Sequence, residues 1–125
     1  MTRALVLLAS LVVLAGCTSG GLRGKVIAGD TSFVVVASGG DARLGTGGLK
    51  GARVVAHVVR DGLRRSRSEV RTDKNGWFEA NVGNMSALAD KIELEVTLPG
   101  HVPARGRIDL PAPDRSVLVL LKPEP

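Results

Sequence analysis

The chain has 125 residues, and its 17 lysines and arginines exceed its 12 aspartates and glutamates, which gives a formal net charge of +5. This length suits one domain. Nucleic-acid binding is not expected despite the basic balance, because aromatic side chains, on which bases stack, make up only 2% of the sequence. The single cysteine excludes an intrachain disulfide.

The first sixteen residues have the layout of a secretory signal. Arg3 is followed by an apolar run over residues 4–16 that only Ser10 interrupts. A positive start, an apolar stretch of about 7 to 15 residues and small residues before a cleavage point are typical of such signals. A membrane-spanning helix needs about 20 apolar residues, so the run predicts a removable signal and not a permanent span.

The end of this run, Leu14-Ala15-Gly16-Cys17, resembles the lipobox of bacterial lipoproteins. The resemblance implies that a lipoprotein signal peptidase recognises the three residues before Cys17 and cuts there, after the sulfur has been diacylated. Two or more acyl chains hold a protein stably on a membrane. The resemblance also implies that Thr18, which is not aspartate, directs the protein to the outer membrane, on its periplasmic face or at the cell surface.

Cleavage before Cys17 leaves 125 − 16 = 109 residues. We expect residues 17–22 to form a lipidated tether, residues 23–122 to form one domain, and residues 123–125 to form a tail that proline keeps out of any central strand. The alternative is an ordinary signal peptide cut near Gly16 or Ser19.

Short runs of Val, Ile and Thr between Gly, Asp, Asn and Pro predict strands and almost no helix in the domain. Asp61-Gly62 and Asp73–Gly76 predict tight turns, and residues 65–72 an exposed edge strand. Phe78 is predicted to face the core and Trp77 the opposite side. The other predicted strands are residues 22–27 and 33–37 (separate, or one strand with a bulge), 52–59, 91–98, 102–110 and the apolar run 117–121, with one helical turn near 85–89.

Seven or eight short strands predict an all-β protein, a β-sandwich. The order of predicted strands and turns resembles that of the carboxypeptidase regulatory-like domain, which is transthyretin-like (prealbumin-like). The matching segments are Gly24-Lys25-Val26, Gly51-Ala52-Arg53-Val54, Thr72–Phe78, Leu94-Glu95-Val96, Gly100-His101 and 117–120. The resemblance implies a Greek-key sandwich that serves as an accessory module. The glycine-rich insertion Asp30–Gly48 departs from the family pattern, and we expect it to be a mobile surface loop.

The residues with binding potential are few. Trp77, Arg64, Arg65 and Arg67 form the candidate binding surface. His57 and His101 lack neighbours at a metal-ligand spacing, so they are expected to be surface side chains, and no metal or cofactor is expected. Ser66 and Ser68 stand among arginines without the elbow of a serine nucleophile. Asp73–Gly76 begins like a calcium loop but lacks the later glutamate, so it is interpreted as a turn.

The sequence therefore predicts a membrane-anchored, non-enzymatic envelope lipoprotein with a structural or protein-interaction module. Its partners would be the membrane, through the acyl chains on Cys17, and an envelope protein. The alternatives are a module that binds carbohydrate or peptidoglycan in the cell wall and, less favoured, a small hydrolase. The oligomeric state is left open.

Overall fold

A computed structural model describes residues 21–82, 91–112 and 114–125. The predicted signal, the lipobox with Cys17 and the helical turn expected near residues 85–89 lie outside this part of the chain. The described residues form eight strands and one 3-10 helix: β1 (Gly21–Ala28), β2 (Phe33–Ser38), the helix (Ala42–Gly45), β3 (Arg53–Arg60), β4 (Leu63–Arg71), β5 (Trp77–Asn81), β6 (Lys91–Thr97), β7 (Ala104–Asp109) and β8 (Arg115–Leu121). No helix among them is long and apolar enough to cross a membrane.

The strands form two four-stranded sheets, which confirms the predicted all-β sandwich. The first sheet has the order β2-β8-β1-β5 and the second the order β4-β3-β6-β7. β1 and β8 are parallel, and every other neighbouring pair is antiparallel. The first two predicted strands are separate strands, because β8 lies between β1 and β2.

The core lies between the two sheets and is made by alternate residues of each strand. This alternation follows from the pleat, which directs successive side chains to opposite faces. The alternation is present even in β5, the shortest strand, where Phe78 and Ala80 are buried in the core while Glu79 is exposed. The remaining core residues come from both sheets and from the loops beside them: Leu22, Val26, Ala52, Val54, Ala56, Val58, Val82, Ile92, Leu94, Val96, Ala104, Val117, Val119 and Leu121.

β8 is apolar on both faces because both of its faces are covered. Val117, Val119 and Leu121 enter the core between the sheets, whereas Leu118 faces outward into a second apolar cluster. That cluster is closed by Leu44 from the 3-10 helix. The strand predicted at residues 117–121 is therefore present and is covered on both faces.

The glycine-rich insertion is an integral part of the sandwich, so the prediction of a mobile surface loop is wrong. It contains β2, which pairs with β8, and the 3-10 helix, which packs on the outer side of the first sheet. Asp41 begins the helix by accepting a hydrogen bond from the backbone N–H of Arg43. Apolar residues at 33–37 and 44 supply the burial that holds this glycine-rich segment in place.

The folded domain extends beyond both of its predicted ends. β1 begins at Gly21 and Leu22 is buried in the core, so these two residues belong to the sandwich and not to a tether. At the other end, Pro123 bridges to His101 and the backbone N–H of Glu124 donates to the carbonyl of Gly100 at 2.9 Å. The tail is therefore attached to the loop between β6 and β7.

Candidate functional site

The outer side of the second sheet carries a broad charged surface, which we call the charged face. Its side chains alternate with core residues of β3, β6 and β7 and with Val70 of β4, so they point away from the first sheet. It consists of Arg53, Val55, His57, Arg64, Arg67, Glu69, Arg71, Lys91, Glu93, Glu95, Arg105, Arg107 and Asp109. Seven cations and four carboxylates give it a positive surplus of three.

Each carboxylate of the charged face has at least one cationic partner. Glu93 lies at the centre, where one of its oxygens accepts from Nε of Arg64 at 3.0 Å and the other from Arg107 at 2.9 Å. Glu69 accepts from Arg53 at 2.9 Å and from Arg67 at 2.7 Å. The remaining pairs are Glu95 with Arg105 at 2.6 Å and Asp109 with Lys91. All four carboxylates are paired within the face, so an added ligand would meet a surface with a surplus of positive charge.

A shallow cavity of about 580 Å³ lies in the middle of the charged face. Three arginines and two glutamates line it together with His57 and apolar residues: Arg64, Arg105, Arg107, Glu93, Glu95, His57, Val55, Leu94 and Gly106. Arginine is suited to such a position, because its planar fork of N–H donors matches carboxylate and phosphate groups. The three arginines and two glutamates of the lining leave the cavity with an excess of one positive charge.

The arginines also determine the charge state of the glutamates between them. Hydrogen bonds from Arg53 and then from Arg67 lower the pKa of Glu69 from 4.5 to about 2. Hydrogen bonds from Arg107 and then from Arg64 lower the pKa of Glu93. Both carboxyls therefore stay ionised in mildly acidic solution, where they organise the arginines and do not act as proton donors.

Glu69 should make folding stability dependent on pH in the acid range. Its pKa is lower in the folded chain than in the unfolded chain, so its contribution is complete above about pH 4.5 and is lost as the pH falls towards about 2. We expect Glu69→Gln to unfold more easily than wild type at neutral pH and equally easily near pH 2. Urea unfolding at a series of pH values measures this difference.

Glu79→Gln is the matched control for that series, because Glu79 is an exposed strand glutamate with no ion pair among the described residues. Added salt should shrink the effect of Glu69→Gln, since the ion pairs are on the surface. A Glu69→Gln penalty that stays constant from pH 7 to pH 2 would contradict the assignment.

The outer side of the first sheet is covered by the insertion, and its polar centre is Lys25. The Lys25 side chain is only 4% exposed. Its ammonium donates to the carbonyl of Leu44 at 2.8 Å and to the carbonyl of Thr46, at the end of the 3-10 helix. A cation suits this position, because the last carbonyls of a helical turn carry partial negative charge. Lys25 therefore fastens the insertion to β1.

Trp77 lies beside this fastening, half-buried against the outer apolar cluster. The guanidinium of Arg23 stands 4.3 Å from the centroid of its ring, and the ammonium of Lys25 stands 5.2 Å away. Both distances are in the range of cation–π contacts. A cavity of about 550 Å³ adjoins the ring and is rimmed by Arg23, Asp41 and Asp114.

The structure separates the four residues of the candidate binding surface. Trp77 faces outward from the first sheet, while Arg64 and Arg67 face outward from the second, with the core between them. Arg65 is exposed at the bulge in the pairing of β3 with β4, where it has no direct partner across the ladder. Arg64 and Arg67 thus share the charged face, and Trp77 belongs to a different surface.

The two histidines are also apart. His57 lines the cavity of the charged face, opposite Glu93 in the ladder, whereas a ring nitrogen of His101 lies 3.2 Å from the carbonyl oxygen of Pro99 in the loop after β6. Asp73 uses its carboxylate within its own turn, where it accepts from the backbone N–H groups of Asn75 and Trp77. The described residues contain no cluster of three His, Cys, Asp or Glu side chains that could hold a metal.

Sequence reasoning missed Lys25 and Glu93. Lys25 is on the outer side of β1, where the sequence predicts an exposed side chain. Its partners are backbone carbonyls 19 and 21 residues away, and no pattern of side chains in the sequence indicates such contacts. Glu93 was recognisable as an outward residue of β6, but its two arginines come from strands on opposite sides of it in the sheet, β4 and β7. The strand order was needed to place them together.

A scan against protein-family models, a search of curated proteins and a search of solved structures each found no match to the chain.

Proposed function

We propose that the chain is a membrane-anchored, non-enzymatic envelope lipoprotein, and that its β-sandwich is a protein-interaction module of the carboxypeptidase regulatory-like kind. The observation that carries the anchor is Leu14-Ala15-Gly16-Cys17, which ends an apolar run and contains the only cysteine. The first strand begins four residues later, at Gly21. A lipid on Cys17 would therefore hold a folded domain close to the membrane.

The charged face supports an interaction role for the domain. Its surplus of positive charge favours an acidic surface on an envelope partner. The lowered pKa of Glu93 argues against general-acid catalysis in that cavity, because an efficient catalytic acid has a pKa near the working pH. His57 also has no hydrogen-bonded orienting group among the described residues, which makes a small hydrolase the least favoured function.

A cell-wall glycan is the second candidate ligand, and the cavity beside Trp77 is the observation that favours it. Aromatic rings and carboxylates are useful for binding sugars, and Trp77, Asp41 and Asp114 line one cavity. However, Arg23 stands over the ring and Arg43 already holds Asp41 by a side-chain ion pair of 2.8 Å. A sugar that stacked on Trp77 would have to displace Arg23, so this function ranks second.

The anchor is tested by the mass and the location of the protein in a bacterium that processes lipoproteins. We expect the wild type to lack residues 1–16, to carry the mass of its acyl chains and to sediment with membranes. Cys17→Ser should incorporate no labelled fatty acid and should remain uncleaved at this site. Ser19→Ala is the control, since Ser19 also lies before the first strand but is not the acylated residue. A wild-type chain without acyl mass would overturn the proposal.

A further inference from the structure

The chain enters the sandwich at an end that we call the tether end. β1 begins there at Gly21, and β8, which is parallel to β1, begins there at Arg115. In the second sheet, the ladder places the Arg60–Leu63 hairpin, Lys91 and Asp109 at one edge. A cavity of about 640 Å³ is lined by Lys91 and Asp109 of the second sheet and by Arg115 of the first, so these residues lie at the same end of the sandwich. The tether end therefore comprises Gly21, residues 60–65, Lys91, residues 109–112, Asp114 and Arg115.

Exposed leucines stand out at the tether end. Leu63 is 58% exposed, directly after the Asp61-Gly62 turn, and Leu110 is 49% exposed, after the last residue of β7. A single exposed leucine is ordinary on a protein surface. Here the two most exposed large apolar side chains of the described residues lie at the end where the chain enters. The third, Val102, is 39% exposed and lies at the opposite end, where its backbone N–H donates to Lys122.

Cations outnumber carboxylates around these leucines. The described residues of the tether end include Arg60, Arg64, Arg65, Lys91 and Arg115 against Asp61, Asp109 and Asp114. Arg65 and Arg115 are exposed, and their side chains make no hydrogen bond or ion pair with the described part of the chain. Exposed apolar side chains beside free cations are the composition that binds the interface of an anionic membrane.

The length of the connection brings this end to the membrane. Three residues lie between Cys17 and Gly21, and the four Cα–Cα steps that join the two positions extend at most about 14 Å. We propose that the tether end docks on the anionic membrane that holds the anchor, with Leu63 and Leu110 entering the interface and Arg65 and Arg115 contacting lipid phosphates. This inference rests on the proposed acylation of Cys17. It adds an orientation, in which the edge of the charged face with Arg64, Lys91 and Asp109 lies next to the membrane and the rest of that face stays accessible to a partner.

The test uses the full chain, processed in bacteria and reconstituted into vesicles of phosphatidylethanolamine and phosphatidylglycerol. One cysteine, in addition to Cys17, replaces Leu63, Leu110 or, as the matched control, Val102, and carries an environment-sensitive fluorescent dye. All three side chains are exposed, so these changes leave the core intact. We expect a blue shift of the emission at positions 63 and 110 and none at position 102. High salt, or Arg65→Glu with Arg115→Glu, should abolish the shift at position 110.

Intact mass measured on the same samples separates the two proposals. Acylated protein whose three probes emit alike would overturn the docking and leave the anchor intact. Unacylated protein that still shows the shift at positions 63 and 110 with added vesicles would overturn the anchor and support the docking. Wild type treated with the same dye gives the labelling of Cys17 itself, which acylation of the sulfur should prevent.

Discussion

Gly76→Ala is expected to destabilise the fold by about 3–5 kcal/mol, the sum of two separate effects. Gly76 has a φ of +84°, which side-chain-bearing residues rarely adopt. An added Cβ would also stand 2.6 Å from Cα of Gly48 and 2.6 Å from the carbonyl oxygen of Val26. Both are backbone atoms, so neither can move aside by a change of rotamer.

Two other glycines separate these effects. Gly51 has a φ of +77° with open space around its Cβ position, so Gly51→Ala should cost only about 1–2 kcal/mol for its backbone conformation. Gly45 has open space and no positive φ, so Gly45→Ala should change stability by less than about 0.5 kcal/mol. Urea unfolding followed by the fluorescence of Trp77 measures all three. Equal losses for Gly76→Ala and Gly51→Ala would contradict the backbone contact.

The contact at Gly76 matters because it is where the insertion returns to the sandwich. Leu49 donates its backbone N–H to the carbonyl of Val26 at 2.8 Å, and Val26 donates to the carbonyl of Gly76 at 2.9 Å. Gly48 lies against the turn at Asn75 and Gly76. The three segments thus form one backbone layer, which an alanine at position 76 would separate.

The strands and turns were predictable because their signals are local. Asp61-Gly62 forms a turn in which both residues have positive φ, as expected for a two-residue hairpin. Asp73 organises its turn with its own carboxylate, and the alternation around Phe78 correctly assigns the buried side. These features depend on neighbours within a few residues, which the sequence contains directly.

The insertion and the candidate site were not predictable in the same way. Glycines at 39, 40, 45, 47 and 48 suggest mobility, but Leu44 and Lys25 hold this segment through contacts with residues far away in the sequence. Likewise, an arginine-rich edge strand next to a tryptophan suggests one surface. The chain crosses from the second sheet to the first between Arg71 and Trp77, and that crossing places the two features on different sides of the core.

Phe78→Ala is the second substitution with a large expected effect, about 3–5 kcal/mol, because it removes a buried aromatic ring from the core. Phe33→Ala is the matched control. Phe33 is half-buried on β2, at the edge of the first sheet, so its truncation should cost less than about 2 kcal/mol. Urea unfolding compares the two variants, and equal losses would show that the ring of Phe78 is not a central core element.

Gly24 explains why this ring fits. Gly24 pairs with Phe78 across β1 and β5, and an added Cβ at Gly24 would stand 2.6 Å from Cε1 of Phe78 and 2.9 Å from the carbonyl oxygen of Val117. The ring therefore occupies the space that the missing side chain leaves. Gly24→Ala should be strongly destabilising alone and less so together with Phe78→Ala, with the remaining penalty due to Val117. If the losses of unfolding free energy in the double variant were additive, this packing would be contradicted, because the Phe78 ring would then not be what clashes with a side chain at position 24.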